Sequence, residues 1–361
     1  MTYPIPTLQT HTSEIFTKIP DHLAKRANGQ RAGFLEGPSI DRAGNLLCVD
    51  IQAGRIYRIS MDKQWEVLVE YDGTPNGLKL HKDGRAFIAD RKNGLMVLDT
   101  ATGKIENVLS GPKAGERFKG LNDLHFAGNG DLYFTDQGRS GLQDPSGHVY
   151  CLRDNGSLDT VIANAPSPNG LVLSKRENAL YVAVTRANAV WRIDLDDPAK
   201  RAGLFATLPC AGPDGVALDD DGNVVVAHPT LGGVWVYSRI GLPLHFIATS
   251  AGEMTTNIAF GGDGQQDVVR YGIEDRLHPV RPPFDGGAQD VFSHLNLSPP
   301  HELRPRRASR QQKRQIGAGG NIPSTHLHEF GHEIVATGEP ADPHVFAHFL
   351  CRRDCPLESG L

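Results

Sequence analysis

Little in these 361 residues commits the chain to a membrane, a nucleic acid or a disulfide framework. The five cysteines are scattered and odd in number, which excludes a fully paired disulfide scaffold and suits a reducing compartment. Cys48, Cys151 and Cys210 sit in or beside apolar runs and read as small core residues. A net charge of only −5 gives no electrostatic footprint for nucleic acid. No apolar run is long enough to span a bilayer, and no basic region followed by an apolar core marks a secretory signal at the N-terminus. The expectation is a cytoplasmic protein with neither a nucleic-acid nor a membrane partner. Oligomeric state is left open.

What the chain has instead is a repeat. Pro213-Asp214-Gly215-Val216-Ala217-Leu218 runs through Asp221-Gly222 into the Val-rich run Val224-Val225-Val226-Ala227-His228. An apolar-polar alternation, an Asp-Gly turn and a returning apolar run make a β-hairpin signature. The same order recurs from Glu36-Gly37, Asn76-Gly77, Asn122-Asp123 and Asn169-Gly170, and begins again at Thr256-Asn257. Third strand-like runs follow, such as Arg55-Ile56-Tyr57-Arg58-Ile59 and Gly233-Val234-Trp235-Val236-Tyr237. Strand-and-turn units at a period of about 40–47 residues read as propeller blades. The predicted fold is therefore all-β, a six-bladed propeller with its sixth blade incomplete. It should occupy residues 1–284, ahead of a low-order basic and His-rich tail at 285–361. An N-terminal strand near Ser13–Pro20 is expected to complete the last blade.

The register carries the chemistry. Glu36, Asn76, Asn122, Asn169, Asp214 and Asn257 each open an innermost strand, which places all six near the axis at one end. Asp50, Asp90, Asp136 and His228 follow at a constant offset and should form a second polar tier. Two carboxylates and several amide oxygens, with no Cys or His among them, suit a hard cation, Ca²⁺ before Zn²⁺ or Mg²⁺. Asn and Asp also cap turns, but six polar groups around one axis are hard to bury without an ion.

The ordered set Leu35-Glu36-Gly37-Pro38, Gly115-Glu116-Arg117-Phe118, Asn122-Asp123, Tyr133-Phe134-Thr135-Asp136, Pro168-Asn169-Gly170 and Gly212-Pro213-Asp214-Gly215 resembles the regucalcin, gluconolactonase and drug-responsive lactonase group of calcium-dependent propeller hydrolases. The resemblance spans residues 31–266. It implies Glu36, Asn122, Asn169 and Asp214 as metal ligands, and Ca²⁺-dependent hydrolysis of a sugar-acid or similar small lactone. Asp214 would be the general base, or the nucleophile, with the cation stabilising the developing oxyanion. The expected substrate-binding set is Asn122, Asn76, Lys119 and His228. Some members carry an Arg two residues before the Asn matched by Asn122; here that position is Gly120, with Lys119 beside it. His228 reads as a second-tier structural residue that could also move a proton. Two other readings are a phosphotriesterase resembling diisopropyl fluorophosphatase and a non-catalytic binding platform; the platform predicts aromatic or basic residues at the axis.

Beyond Gln266 the text changes. Asp267 to Arg281 has too little strand pattern for a blade, and Pro279 would interrupt a ladder. Back-translated with permitted codons and read one base later, this stretch gives T-L-Y-V-T-E-S-R-T-G-S-I-L-S-A. That parallels Ala179-Leu180-Tyr181-Val182-Ala183-Val184-Thr185-Arg186 of the fourth repeat, so a frameshift near Gln266 is expected in the coding DNA. Arg304-Pro305-Arg306-Arg307 opens a basic run of the solvated kind. His328-Glu329-Phe330-Gly331-His332 matches H-E-x-x-H, with His344, His348, Cys351 and Cys355 nearby for chance zinc binding. The pattern needs a helix, and only Thr325 to Thr337 could form one.

Overall fold

A computed structural model describes residues 7–24, 33–250, 254–262, 333–337 and 344–351, and these form an all-β propeller. Five sheets are blades built from consecutive antiparallel strands. Blade I runs Leu35–Ile40, Leu46–Asp50, Arg55–Ile59 and Trp65–Glu70 from the axis outward. Blades II to V occupy 75–109, 121–165, 168–207 and 216–248, with inner strands Pro75–Leu80, Leu121–Phe126, Pro168–Leu173 and Val216–Leu218.

Each second strand is covered on both faces by neighbouring blades, which is why the sequence there is a continuous apolar run. Leu46–Asp50, Leu132–Asp136 and Val224–His228 are buried along their whole length. The core consequently lies between blades: Leu47, Val49 and Ile56 of blade I pack with Leu78, Ile88 and Leu98 of blade II. Outer strands such as Ile105–Leu109 face solvent, with Glu106, Asn107 and Val108 exposed and only the two end residues half-buried. Cys48 and Cys151 are buried core residues as expected, whereas Cys210 is exposed.

Close approach of the inner strands depends on the glycine that follows each polar residue. A Cβ on Gly77 would stand 2.7 Å from the Asn122 carbonyl oxygen, and one on Gly215 would stand 2.2 Å from Asn257 Oδ1. Blade III breaks the pattern, with Asp123 where blades I, II, IV and V have glycine.

The expected sixth blade does not appear as four consecutive strands. Met254–Gly262 is an inner strand in contact with both Val216–Leu218 and Leu35–Ile40, and Thr256 Oγ1 donates to the Leu35 carbonyl at 3.1 Å. Its sheet partners come from far away: the order is Glu14–Lys18, Glu333–Thr337, His344–Cys351, Met254–Gly262. Residues 267–281, on which the frameshift expectation rests, lie outside the described residues, as do the 284/285 boundary and His328–His332. Two parts of the tail thus have regular structure. The helix expected to Thr337 is replaced, at Glu333–Thr337, by a strand. The N-terminal segment is two strands rather than one, because Gln9–Thr12 adds in parallel to Pro243–Ala248 of blade V. Ser13, buried, links that strand to Glu14–Lys18 and donates its N–H to the Ala248 carbonyl at 2.9 Å. Among the described residues no helix is long and apolar enough to cross a membrane.

Candidate active site

The inner strands bring Glu36, Asn76, Asn122, Asp123, Asn169 and Asn257 to one end of the axis, all at most 5% exposed. Asn257 Nδ2 lies between two carboxylates, donating to Glu36 Oε2 at 2.9 Å and to Asp123 Oδ2 at 3.4 Å. Its own Oδ1 accepts the Ile258 amide at 2.8 Å, which fixes the side-chain orientation. Asp123 Oδ1 accepts the Leu124 amide at 2.8 Å. Asp214, half-buried, joins them and is hydrogen-bonded to Asn169. Asn169 Nδ2 also donates to Thr185 Oγ1 at 3.3 Å.

Three carboxyl groups in one desolvated space raise one another's proton affinity. Burial lifts Glu36 to about 8, with the Asp123 charge adding to it and the Asn257 hydrogen bond opposing. Burial, then the Glu36 and Asp123 charges, push Asp214 well above the ordinary carboxylate range, against the Asn169 hydrogen bond. Asp123 is raised by burial, with Lys79 and the Leu124 amide pulling it down. The sequence reading missed Asp123; the signal available was its substitution for glycine in the repeat.

This donor set fits a hard divalent cation. Every candidate ligand is an oxygen, and a +2 charge offsets the repulsion that burial imposes on the acids. Among the described residues no group of three or more His, Cys, Asp and Glu side chains is placed to hold an ion by itself, so amide oxygens belong to any such set. Asn122 uses its Nδ2 to donate to Gln137 Oε1 at 3.2 Å, and Asn169 uses its own on Thr185, so both have an amide oxygen to offer.

The second polar tier anchors loops. Asp50 accepts the Gly33 and Phe34 amides at 2.6 and 3.3 Å, and Asp136 accepts those of Lys119 and Gly120 at 3.0 and 2.8 Å. Asp90 accepts the Thr74 amide at 2.9 Å and the Tyr71 hydroxyl at 2.7 Å. Each carboxylate ties down the loop that leads into its own inner strand. In blade V that loop presents carbonyls, and the residue is accordingly a donor. His228 Nε2 faces the Cys210 and Ala211 oxygens at 2.7 and 2.8 Å, while Trp235 Nε1 donates to Nδ1 at 3.0 Å. With both ring nitrogens engaged and the side chain fully buried, His228 anchors that loop, as the structural reading of the second tier expects. Lys119 is exposed, and its Nζ donates to the Ser146 carbonyl at 2.6 Å.

Around Asn122 the loops supply a polar network that the repeat pattern does not announce. Gln137 is 1% exposed; its Oε1 accepts from Asn122 and, at 3.0 Å, from Arg91 Nη1 of blade II. Its Nε2 donates to Ser167 Oγ at 2.9 Å. At the opposite end of the inner strands lies a cavity of about 140 Å³ walled by residues such as Ile40, Phe126, Leu218 and Phe260, with Lys79 and His125.

Comparison with known proteins gives a consistent picture. The family model describing the SMP-30/Gluconolactonase/LRE-like region matches residues 34–269. The lactonase drp35 of Staphylococcus aureus strain MW2 is 32% identical over 255 residues, covering 66% of this chain and 74% of that protein. That of Staphylococcus haemolyticus is 31% identical over 252 residues, with coverages of 66% and 73%. In fold, the chain is similar to a gluconolactonase from Xanthomonas campestris, with TM-score 0.57, 24% identity and coverages of 72% and 92%. It is also similar to a calcium-binding regucalcin from Agrobacterium tumefaciens, with TM-score 0.57, 21% identity and coverages of 72% and 88%.

Proposed function

The chain belongs to the SMP-30/gluconolactonase/LRE-like family, and from that premise we propose that it is a lactonase, hydrolysing small lactones with a divalent cation, Ca²⁺, at the acid-lined end of its axis. The observation that carries this reading is the cluster of Glu36 and Asp123, both buried, with half-buried Asp214, interleaved with the amides of Asn122, Asn169 and Asn257. An axis of carboxylates and amides is what an ion-assisted hydrolase needs; a binding platform would have presented aromatic or basic groups there.

Glu36, Asn122, Asn169 and Asp214 would hold the cation, which would supply charge stabilisation for the lactone carbonyl oxygen. Asp214 is the general base. It takes a proton from the water that attacks the carbonyl carbon. As the ring C–O bond breaks, the same proton passes to the departing alkoxide, so that a hydroxy acid leaves and Asp214 returns to its starting state. Asn169 orients Asp214, and Asn257 keeps Glu36 and Asp123 apart by donating to both. Asn76, on the neighbouring inner strand, contributes to the wall against which substrate sits.

A lactone panel read with a pH indicator, before and after cation removal and Ca²⁺ return, tests the reading. Asp214→Asn should lower turnover by about 10²–10⁴-fold, the usual contribution of a general base, while the β-rich spectrum stays. Full activity in Asp214→Asn would refute the mechanism. Hydrolysis of phosphotriesters but of no lactone would refute the substrate class.

A further inference from the structure

We propose that the cavity at the far end of the axis is a second ligand site, and that it takes a small carboxylate whose apolar body is the size of one aromatic ring. The site is separate from the acid-lined end and does not depend on the reaction carried out there. Three residues beyond each polar residue of the ring, the inner strands present Ser39, Lys79, His125, Val172, Ala217 and Phe260, one from each strand in turn. All six line the cavity. The three polar side chains come from blades I to III, and the three apolar ones from the inner strands that follow. The chamber is therefore polar along one side and apolar along the other.

The polar side is short of acceptors. Lys79 Nζ donates to the Pro38 carbonyl at 3.3 Å, a single acceptor for an ammonium that carries three donors. His125 has no hydrogen-bond partner among the described residues. Burial, and then the Lys79 charge, hold its imidazole down at about 3, so it is neutral and has one N–H to donate. Ser39 cannot supply the missing acceptor's proton partner, because its hydroxyl already donates to the Leu78 carbonyl at 3.1 Å. Two neighbouring donors without protein acceptors suit an anion, and a carboxylate can accept from both at once. The opposite wall of Val172, Ala217 and Phe260 suits the apolar body. The cavity volume of about 140 Å³ sets its size, since a cavity on the order of 150 Å³ admits a benzene ring. Lys79, Leu80, His125 and Phe126 are half-buried, so among the described residues the chamber is reached from solvent.

Calorimetric titration of the full chain with benzoate, and with benzyl alcohol as its uncharged counterpart, tests the site in chelator and again in saturating Ca²⁺. Benzoate should bind in both conditions, at least about tenfold more tightly than benzyl alcohol, the scale of one charge-assisted contact. Lys79→Met should remove that preference. Ala217→Phe, which fills the chamber from its apolar wall, should abolish binding of both ligands. Wild-type crystals soaked with 4-bromobenzoate keep the test independent of how either variant folds: the bromine should lie among Val172, Ala217 and Phe260. Absence of benzoate binding at millimolar concentration would mean that the chamber holds only water, and the proposal falls. Binding that appears only with Ca²⁺, or a bromine at the acid-lined end, would put the carboxylate on the cation of the lactonase site and overturn the second site equally. A protein that binds benzoate in the chamber but turns over no lactone would sink the lactonase reading and leave this site standing.

Discussion

Removing the cation should make the stability of this protein fall as pH rises, and Glu36 should account for a definable share. In the folded, ion-free protein burial holds the Glu36 carboxyl at about 8, against its ordinary value of 4.5. Between those values the folded state keeps a proton that the unfolded chain has released. Stability is then fully present below 4.5 and is lost as pH rises towards 8. One proton of difference is worth about 1.4 kcal/mol per pH unit, so from pH 5.5 to 7.5 the loss is about 3 kcal/mol. For a domain of this size that corresponds to about 6–12 °C in Tm. Asp214 and Asp123, raised by the same burial, steepen the slope further. Thermal unfolding in a chelator at several pH values, for wild type and Glu36→Gln, measures it directly. The variant should lose about one proton's worth of slope. Saturating Ca²⁺ should flatten the wild-type curve, since a bound carboxylate stays ionised in the folded state. Equal slopes in wild type and Glu36→Gln would refute the placement of Glu36 in a desolvated cluster.

Two further outcomes follow from the packing around the site. His228→Ala leaves the Cys210 and Ala211 carbonyls and the Trp235 N–H without their partner, and should lower stability by about 2–4 kcal/mol in denaturant unfolding. Turnover per folded molecule should persist; a collapse of kcat at unchanged stability would return His228 to the catalytic set. Gly77→Ala forces a Cβ to 2.7 Å from the Asn122 carbonyl and the Asp123 backbone, and overpacking of this kind costs about 1–3 kcal/mol. It should also weaken Ca²⁺ binding in a calorimetric titration, which would not happen if the inner strands could separate independently of the site.

The blades and most of the polar ring were legible because they repeat. Five recurrences of a polar residue before an apolar alternation fix the register, and register alone brings Glu36, Asn169 and Asn257 to one end. Asp123 escaped because it breaks the repeat at the glycine position, and the information lay in the exception. Arg91 and Gln137 escaped for another reason: each stands just after a second strand, in loops where no periodicity applies. The position of Lys119 Nζ was not legible either, because nearness in sequence to Asn122 does not decide where a long side chain reaches; here it donates to the Ser146 carbonyl. The roles of Asp50, Asp90 and His228 depend on whether the neighbouring loop offers N–H or C=O groups, which no pattern of side chains reports.

The sheet that joins Glu14–Lys18 to Glu333–Thr337 bears on how the molecule is made. Glu14 pairs with Ala336, more than three hundred residues away along the chain. Blades I to V are assembled from local hairpins and can form while synthesis proceeds. The N-terminal strand cannot find its antiparallel partner until the tail has left the ribosome, and closing a loop of that length is entropically slow. A nascent chain therefore waits with Met254–Gly262 unpaired at its outward edge, an invitation to a chaperone or to another nascent chain.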